Sequence, residues 1–152
     1  MNMLHDDVLL YIMRIIGDYY ELEKLKLISK RLNKLIKLEH VSKMKITEEN
    51  KYLLNDNFST KFKNLKILDC SDNHFTSLPT LPTSLTKLNC SFNILTSLPT
   101  LPPSLTKLWC FGNQLTSLPT LPTSLTELRC HIQFTSLPTL PPSLIKLDCN
   151  GY

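Results

Sequence analysis

Five cysteines and four histidines are the side chains of this 152-residue sequence best able to attack, ligate or cross-link. The cysteines stand at Cys70, Cys90, Cys110, Cys130 and Cys149, at intervals of 20, 20, 20 and 19 residues. Structural zinc sites draw ligands from C-x-x-C pairs or from closely spaced cysteine and histidine. No C-x-x-C occurs, and no metal is expected. His5, His40, His74 and His131 fall in unrelated surroundings, and none joins a nucleophile and an orienting group in a recognisable triad. Gly17, Gly112 and Gly151 are the only glycines, too few and too scattered for a phosphate loop or dinucleotide turn. The expectation is a protein that is not an enzyme and that holds no cofactor. The regular cysteine interval then asks for a structural explanation.

Around each cysteine the chain repeats one phrase, L-x-x-L-x-C-x-x-N-x-L-x-x-L-P. Leu85, Leu88, Cys90, Asn93, Leu95 and Leu98 fill it once, and Leu105, Leu108, Cys110, Asn113, Leu115 and Leu118 fill it again. Apolar residues alternate with others in Leu88-Asn89-Cys90, and a period of two specifies a strand with leucine and cysteine on one side. A lone strand every twenty residues cannot bury its inner face, so successive copies must stack into a parallel sheet over a shared core. The asparagine falls where the chain leaves the strand, and its amide can satisfy turn groups that would otherwise be buried unpaired. The return stretch, "SLPTLPTS", is proline-punctuated, which excludes helix interiors and favours extended or polyproline-like backbone. Within this frame the cysteines form a ladder of small buried hydrophobes. Parallel neighbours lie about 4.8 Å apart, within the span of a disulfide. A bridge is therefore open on distance, and opposed by a reducing setting and by the odd count of thiols.

The array has irregular ends. The fourth unit, "CHIQFTSLP", is one residue short and has lost its asparagine, so a local irregularity is expected from His131 to Phe134. The sequence stops three residues after Cys149. The expectation is either a bare edge strand open to self-association or a shortened relative of a longer array. At the other end "VSKMKI" places Val41, Met44 and Ile46 at the apolar positions of a degenerate first unit, with a short helix expected behind it around "EENKYLLNDNF".

Residues flanking the inward leucine and cysteine should face outward on the concave side of the sheet. The row before each cysteine reads Asp69, Asn89, Trp109, Arg129, Asp148, and the row two residues earlier reads Ile67, Lys87, Lys107, Glu127, Lys146. The row after each cysteine reads Ser71, Ser91, Phe111, His131, Asn150. The one tryptophan thus lies mid-array beside Arg129, and both residue types are enriched in binding hot spots. We therefore take Asp69, Lys87, Asn89, Lys107, Trp109, Phe111, Glu127, Arg129 and His131 as the candidate partner-binding face. The plainer alternative is that Trp109 and Phe111 pack on neighbours as a cross-strand pair.

Residues 1–40 follow a different rule. All ten prolines lie beyond Cys70, whereas Val8, Leu9, Ile12, Met13 and Ile16 recur at helical spacing, followed by a second run from Leu22 to Ile36. Six basic residues fall between Lys24 and Lys37, but Glu21, Glu23 and Glu39 flank them and the net charge is only +4. Lysines on the wet face of an amphipathic helix explain this better than nucleic-acid binding. No apolar run reaches the roughly 20 residues of a membrane span, and the acids at Asp6 and Asp7 do not suit a signal peptide. The protein is expected to be intracellular and cytoplasmic.

Two resemblances follow from these motifs. The Leu-Pro-x-Leu-Pro phrase resembles the "LPX" type of leucine-rich repeat, and similar arrays occur in secreted bacterial effector ubiquitin ligases and in giant-virus and amoebal proteins. The ligases' separate catalytic domain has no counterpart here, so their activity is not expected. Leu4-His5-Asp6-Asp7-Val8-Leu9, with Leu25-Lys26-Leu27-Ile28-Ser29-Lys30-Arg31-Leu32, resembles an F-box, with His5 replacing the usual proline and Leu32 the usual tryptophan. That resemblance implies docking of Leu4, Val8, Leu9 and Ile12 on the adaptor subunit of a cullin–RING ubiquitin ligase, while the repeats hold a target. The expected fold is α+β: a helical F-box-like domain at 1–40, a degenerate cap repeat at 41–64, and a leucine-rich-repeat solenoid at 65–152. Its sheet lies on the concave face, with extended or polyproline-like convex segments. The competing expectation is a stand-alone protein-binding repeat module whose helices only close the core.

Overall fold

The computed structural model describes residues 41–47, 51–131 and 138–149. The F-box-like stretch at 1–40, with Leu4, Val8, Leu9 and Ile12, and residues 132–137, part of which was expected to be irregular, lie outside them.

Each repeat contributes one three-residue strand centred on an apolar residue, Met44 in the first and leucine in the others: β1 (Lys43–Lys45), β2 (Ile67–Asp69), β3 (Lys87–Asn89), β4 (Lys107–Trp109), β5 (Glu127–Arg129) and β6 (Lys146–Asp148). They form one parallel sheet in sequence order. Register repeats without slippage: Met44 opposes Leu68, which opposes Leu88, then Leu108, Leu128 and Leu147. The alternation explains this, because a shift by one residue would turn every leucine out of the core. The described residues carry little helix. A 3₁₀ turn at Lys51–Leu53 and a four-residue α1 at Phe58–Lys61 stand where a single short helix was expected. Asn55 divides the two, its side-chain oxygen accepting from the Asn57 N–H at 3.0 Å. Among the described residues, the proline-rich return segments between strands contain neither helix nor strand.

The core is a set of parallel columns. Leu65, Leu85, Leu105 and Leu125 form one, Leu68, Leu88, Leu108 and Leu128 a second, and Cys70, Cys90, Cys110 and Cys130 a third, all essentially inaccessible to solvent. Leu78, Leu98 and Leu118 close the return side. Burying each such leucine is worth about 2 kcal/mol. Val41, Met44 and Ile46 extend the columns, and Phe58 and Phe62, with ring centroids 5.1 Å apart, seal that end. At the other end the columns thin out: Leu144 and Cys149 are half-buried, and Leu147 and Ile145 are exposed.

Polar ladders tie the columns together. Asn93 Nδ2 donates to the carbonyls of Cys70 (2.9 Å), Cys90 (3.1 Å) and Ser91 (3.2 Å), and its Oδ1 accepts from the Phe75 N–H at 3.0 Å. Asn73 and Asn113 repeat the donor pattern one unit to either side. Each asparagine therefore bridges its own turn and the preceding one. Two further ladders run where the return segment meets the strand. Ser84, Ser104, Ser124 and Ser143 donate to the carbonyls of Leu65, Leu85, Leu105 and Leu125. Thr106 and Thr126 donate to Thr86 and Thr106 at 2.9 and 3.0 Å.

Candidate partner-binding face

The strand residues on either side of each central apolar residue look out from the open face of the sheet. One row there is Lys43, Ile67, Lys87, Lys107, Glu127 and Lys146; the other is Lys45, Asp69, Asn89, Trp109, Arg129 and Asp148. The structure brings Lys107, Trp109, Glu127 and Arg129 into one cluster and adds Lys146. Glu127 stands on β5 between Lys107 of β4 and Lys146 of β6. Its carboxylate meets Lys107 Nζ at 3.0 Å, Arg129 Nε at 3.0 Å and Lys146 Nζ at 3.6 Å, and accepts a hydrogen bond from Trp109 Nε1 at 3.2 Å. The Arg129 guanidinium lies 4.9 Å from the centroid of the Trp109 ring, in cation–π geometry.

Electrostatics follow the geometry. The Lys107 hydrogen bond and charge, with Arg129 and Lys146, hold the Glu127 carboxyl down at about 2 against the opposing effect of burial. Glu127 was expected as an outward contact residue, but only 8% of its surface remains accessible. Side chains from both neighbouring strands cover it, an outcome of stacking that no local alternation encodes.

The row after the cysteines is a correction of a second kind. Strands β2–β6 end before the cysteine, and Ser71, Ser91, Phe111 and His131 lie beyond the strands. Ser71 and Ser91 are buried there, not displayed. Phe111 and His131 are half-buried, and neither lies on a strand. Phe111 packs edge-to-face on Phe92, with centroids 4.9 Å apart. Phe92 went unnoticed in the sequence. It is 49% exposed and holds a left-handed backbone, with φ of 53°. The signal was its column: Asp72 and Gly112, at the same place in their units, also have positive φ. Aspartate and glycine suit that geometry, and a phenylalanine in their column marks strain.

Asp69 and Asn89 sit on the open face, though Asp69 turns its Oδ1 toward the Ser71 N–H at 3.1 Å and hydroxyl at 2.8 Å. Lys87 is exposed. The thiols face away. Burial pushes Cys70 up to about 12, helped by the Asp69 charge, and Cys110 up to about 12, helped by Cys149. Burial raises Cys90 and Cys130 as well. Such thiols are poor nucleophiles. Cys70, Cys90 and Cys110 lie 3.4–3.6 Å from a carbonyl of the next strand, whereas Cys130 Sγ lies 3.0 Å from Cys149 Sγ. Among the described residues no group of three acidic, histidine or cysteine side chains is arranged to hold a metal ion, and no helix is long and apolar enough to cross a membrane.

The comparisons with known proteins agree with this architecture. The Leucine Rich Repeat family model matches residues 64–83. No curated protein matches the chain. Among solved structures, YopM from Yersinia pestis, described as a leucine-rich effector protein, shares 32% identity over 74% of this chain with a TM-score of 0.65. A Shigella effector LRR domain shares 35% identity over 71% with a TM-score of 0.62. YopM from Yersinia enterocolitica WA-314 shares 44% identity over 57% with a TM-score of 0.56. The chain spans 31%, 48% and 20% of those three structures, respectively. The fold is a short parallel β-solenoid of the leucine-rich-repeat type, and the protein resembles the repeat domains of bacterial effectors.

Proposed function

We propose that the protein binds other proteins through the open, concave face of its repeat sheet, centred on Trp109, and performs no chemistry of its own. The observation that carries this reading is the cluster itself. A tryptophan, an arginine stacked on it and two lysines gather where the repeats differ most, on a surface the core does not need. Stacked, pinned aromatic and arginine side chains lose little entropy when a partner docks, which is why they dominate interface energetics. The test is Trp109→Ala. Proteins captured from a lysate by the wild-type chain should be lost or weakened by about tenfold or more, with thermal unfolding little changed. Full retention of every partner refutes the reading.

A more specific role rests on the sequence resemblance at the N-terminus. In it the protein is an intracellular substrate-recognition subunit: Leu4, Val8, Leu9 and Ile12 dock on the adaptor of a cullin–RING ubiquitin ligase while the sheet holds the target. Co-elution with purified adaptor, abolished by Leu9→Asp, is the expected result. Without co-elution, the stand-alone binding module is the better description.

A further inference from the structure

Resting on the concave-face reading above, we propose that this face takes an extended acidic segment of a partner protein, with one partner carboxylate seated on the outer edge of Arg129. The open face carries a positive excess. Lys43, Lys45, Lys87, Lys107, Arg129 and Lys146 are set against Asp69, Glu127 and Asp148, so this one surface carries +3 of the chain's net +4. The excess is spread along the sheet, +2 over β1–β3 and +1 over β4–β6, where Trp109 lies. Three cations, Lys107, Arg129 and Lys146, converge on the single carboxylate of Glu127. Glu127 balances one of them and Asp148, opposite Arg129 on β6, a second, so the cluster keeps one positive charge in surplus. Asp69, the acid nearest the other end, is turned onto Ser71.

Arg129 gives the surplus a shape. Its Nε holds Glu127 and its plane lies over Trp109, and among the described residues no hydrogen bond engages its Nη groups. The guanidinium is therefore fixed in two directions while its fork of N–H donors remains presented, with 33% of the side chain exposed. A planar, pre-oriented fork matches a carboxylate bidentately. Lys107 and Lys146, 39% and 52% exposed, stand on the strands to either side to meet further acids of the same segment. The same geometry disfavours nucleic acid. Arg129 already covers a face of Trp109, and acids interrupt both rows of the surface, which a continuous phosphodiester chain would have to pass.

The test is fluorescence anisotropy of the full chain with short labelled peptides alternating glutamate and glycine, or glutamine and glycine, and with labelled oligothymidylate, at about 0.15 M ionic strength. The glutamate peptide should bind about tenfold or more tighter than the glutamine peptide. Arg129→Gln should remove about tenfold in affinity and Arg129→Lys, which keeps charge but not the fork, several-fold. Lys63→Gln, off the sheet, should change nothing. Unchanged unfolding of Arg129→Lys guards against a folding artefact. Equal binding of the two peptides, no glutamate-peptide binding up to about 1 mM, indifference to Arg129→Gln, or tighter binding of the oligothymidylate each overturns the proposal. If Trp109→Ala loses captured proteins while Arg129→Gln does not, the concave-face reading stands and the acidic partner falls.

Discussion

The two faces of one sheet are written by opposite rules. Inward, the same letters recur: leucine at 68, 88, 108 and 128, cysteine at 70, 90, 110 and 130. Outward, no two neighbouring positions of the row from Asp69 to Asp148 agree. The cause is contact. An inward residue packs against its own copies above and below, so one shape must fit every rung. An outward residue meets solvent and whatever lies one strand away. Sameness therefore marks what holds the solenoid up, and difference marks what it can recognise.

Asparagine tests this most sharply, because it occupies both faces. Asn93 is buried in the turn, donates to three carbonyls and accepts from Phe75. Asn89 is half-buried on the open face and accepts one bond, from the Ser91 N–H at 3.2 Å. Asn93→Ala strands several buried backbone groups and should cost about 2–4 kcal/mol. Asn89→Ala should cost under about 1 kcal/mol. Urea unfolding measures both, and equal losses would erase the distinction between the faces.

Gly112 is the next largest effect and concerns the turn that joins the faces. Its φ is 64°, and a Cβ there would sit 2.7 Å from Phe92 Cδ1. Gly112→Ala combines a backbone penalty of about 1 kcal/mol with displacement of the Phe92 ring. The expected loss in denaturant unfolding is about 1–2 kcal/mol. Truncating the ring in the double variant Phe92→Ala/Gly112→Ala should recover the part due to the clash.

Sequence reading reached the repeat because its signal is redundant. A near-constant period and alternation around each of five cysteines say the same thing, and an asparagine at the strand exit repeats it in three units, at Asn73, Asn93 and Asn113. It placed Lys107, Trp109 and Arg129 on the correct face for the same reason. It failed where alternation was carried one residue too far, at Ser71 and Ser91, since nothing in a period-two pattern marks where a strand ends. It missed the burial of Glu127 because that burial comes from Lys107 and Lys146, nineteen or twenty residues away. The Ser84 and Thr86 ladders were hidden for a simpler reason: small polar residues in a column read as solvent-facing until their carbonyl partners are seen.

The outward face also has a pH signature. Glu127 is held at about 2, below its ordinary 4.5. A carboxyl lowered on folding stabilises the protein above its unfolded value, and that contribution is lost as pH falls through the folded one. Wild-type stability should therefore drop between about pH 4.5 and pH 2. In Glu127→Gln the drop should be shallower, with the two curves converging at the acid end. Parallel curves in denaturant unfolding across that window would mean the ion cluster does not form in solution.

The smallest effect separates two serines at the same place in adjacent repeats. Ser71 donates its hydroxyl to Asp69 Oδ1 at 2.8 Å, whereas the buried Ser91 hydroxyl has no partner among the described residues. The difference arises on the open face, where Asp69 Oδ1 accepts from both the Ser71 N–H and hydroxyl, whereas Asn89 Oδ1 accepts from the Ser91 N–H and not from its hydroxyl. A buried hydroxyl without a partner keeps its desolvation penalty and gains nothing in return. Ser91→Ala should leave stability unchanged or raise it by up to about 1 kcal/mol, while Ser71→Ala lowers it by about the same amount. Opposite signs in paired unfolding curves would show that an outward residue, free to vary for recognition, still sets the cost of the turn behind it.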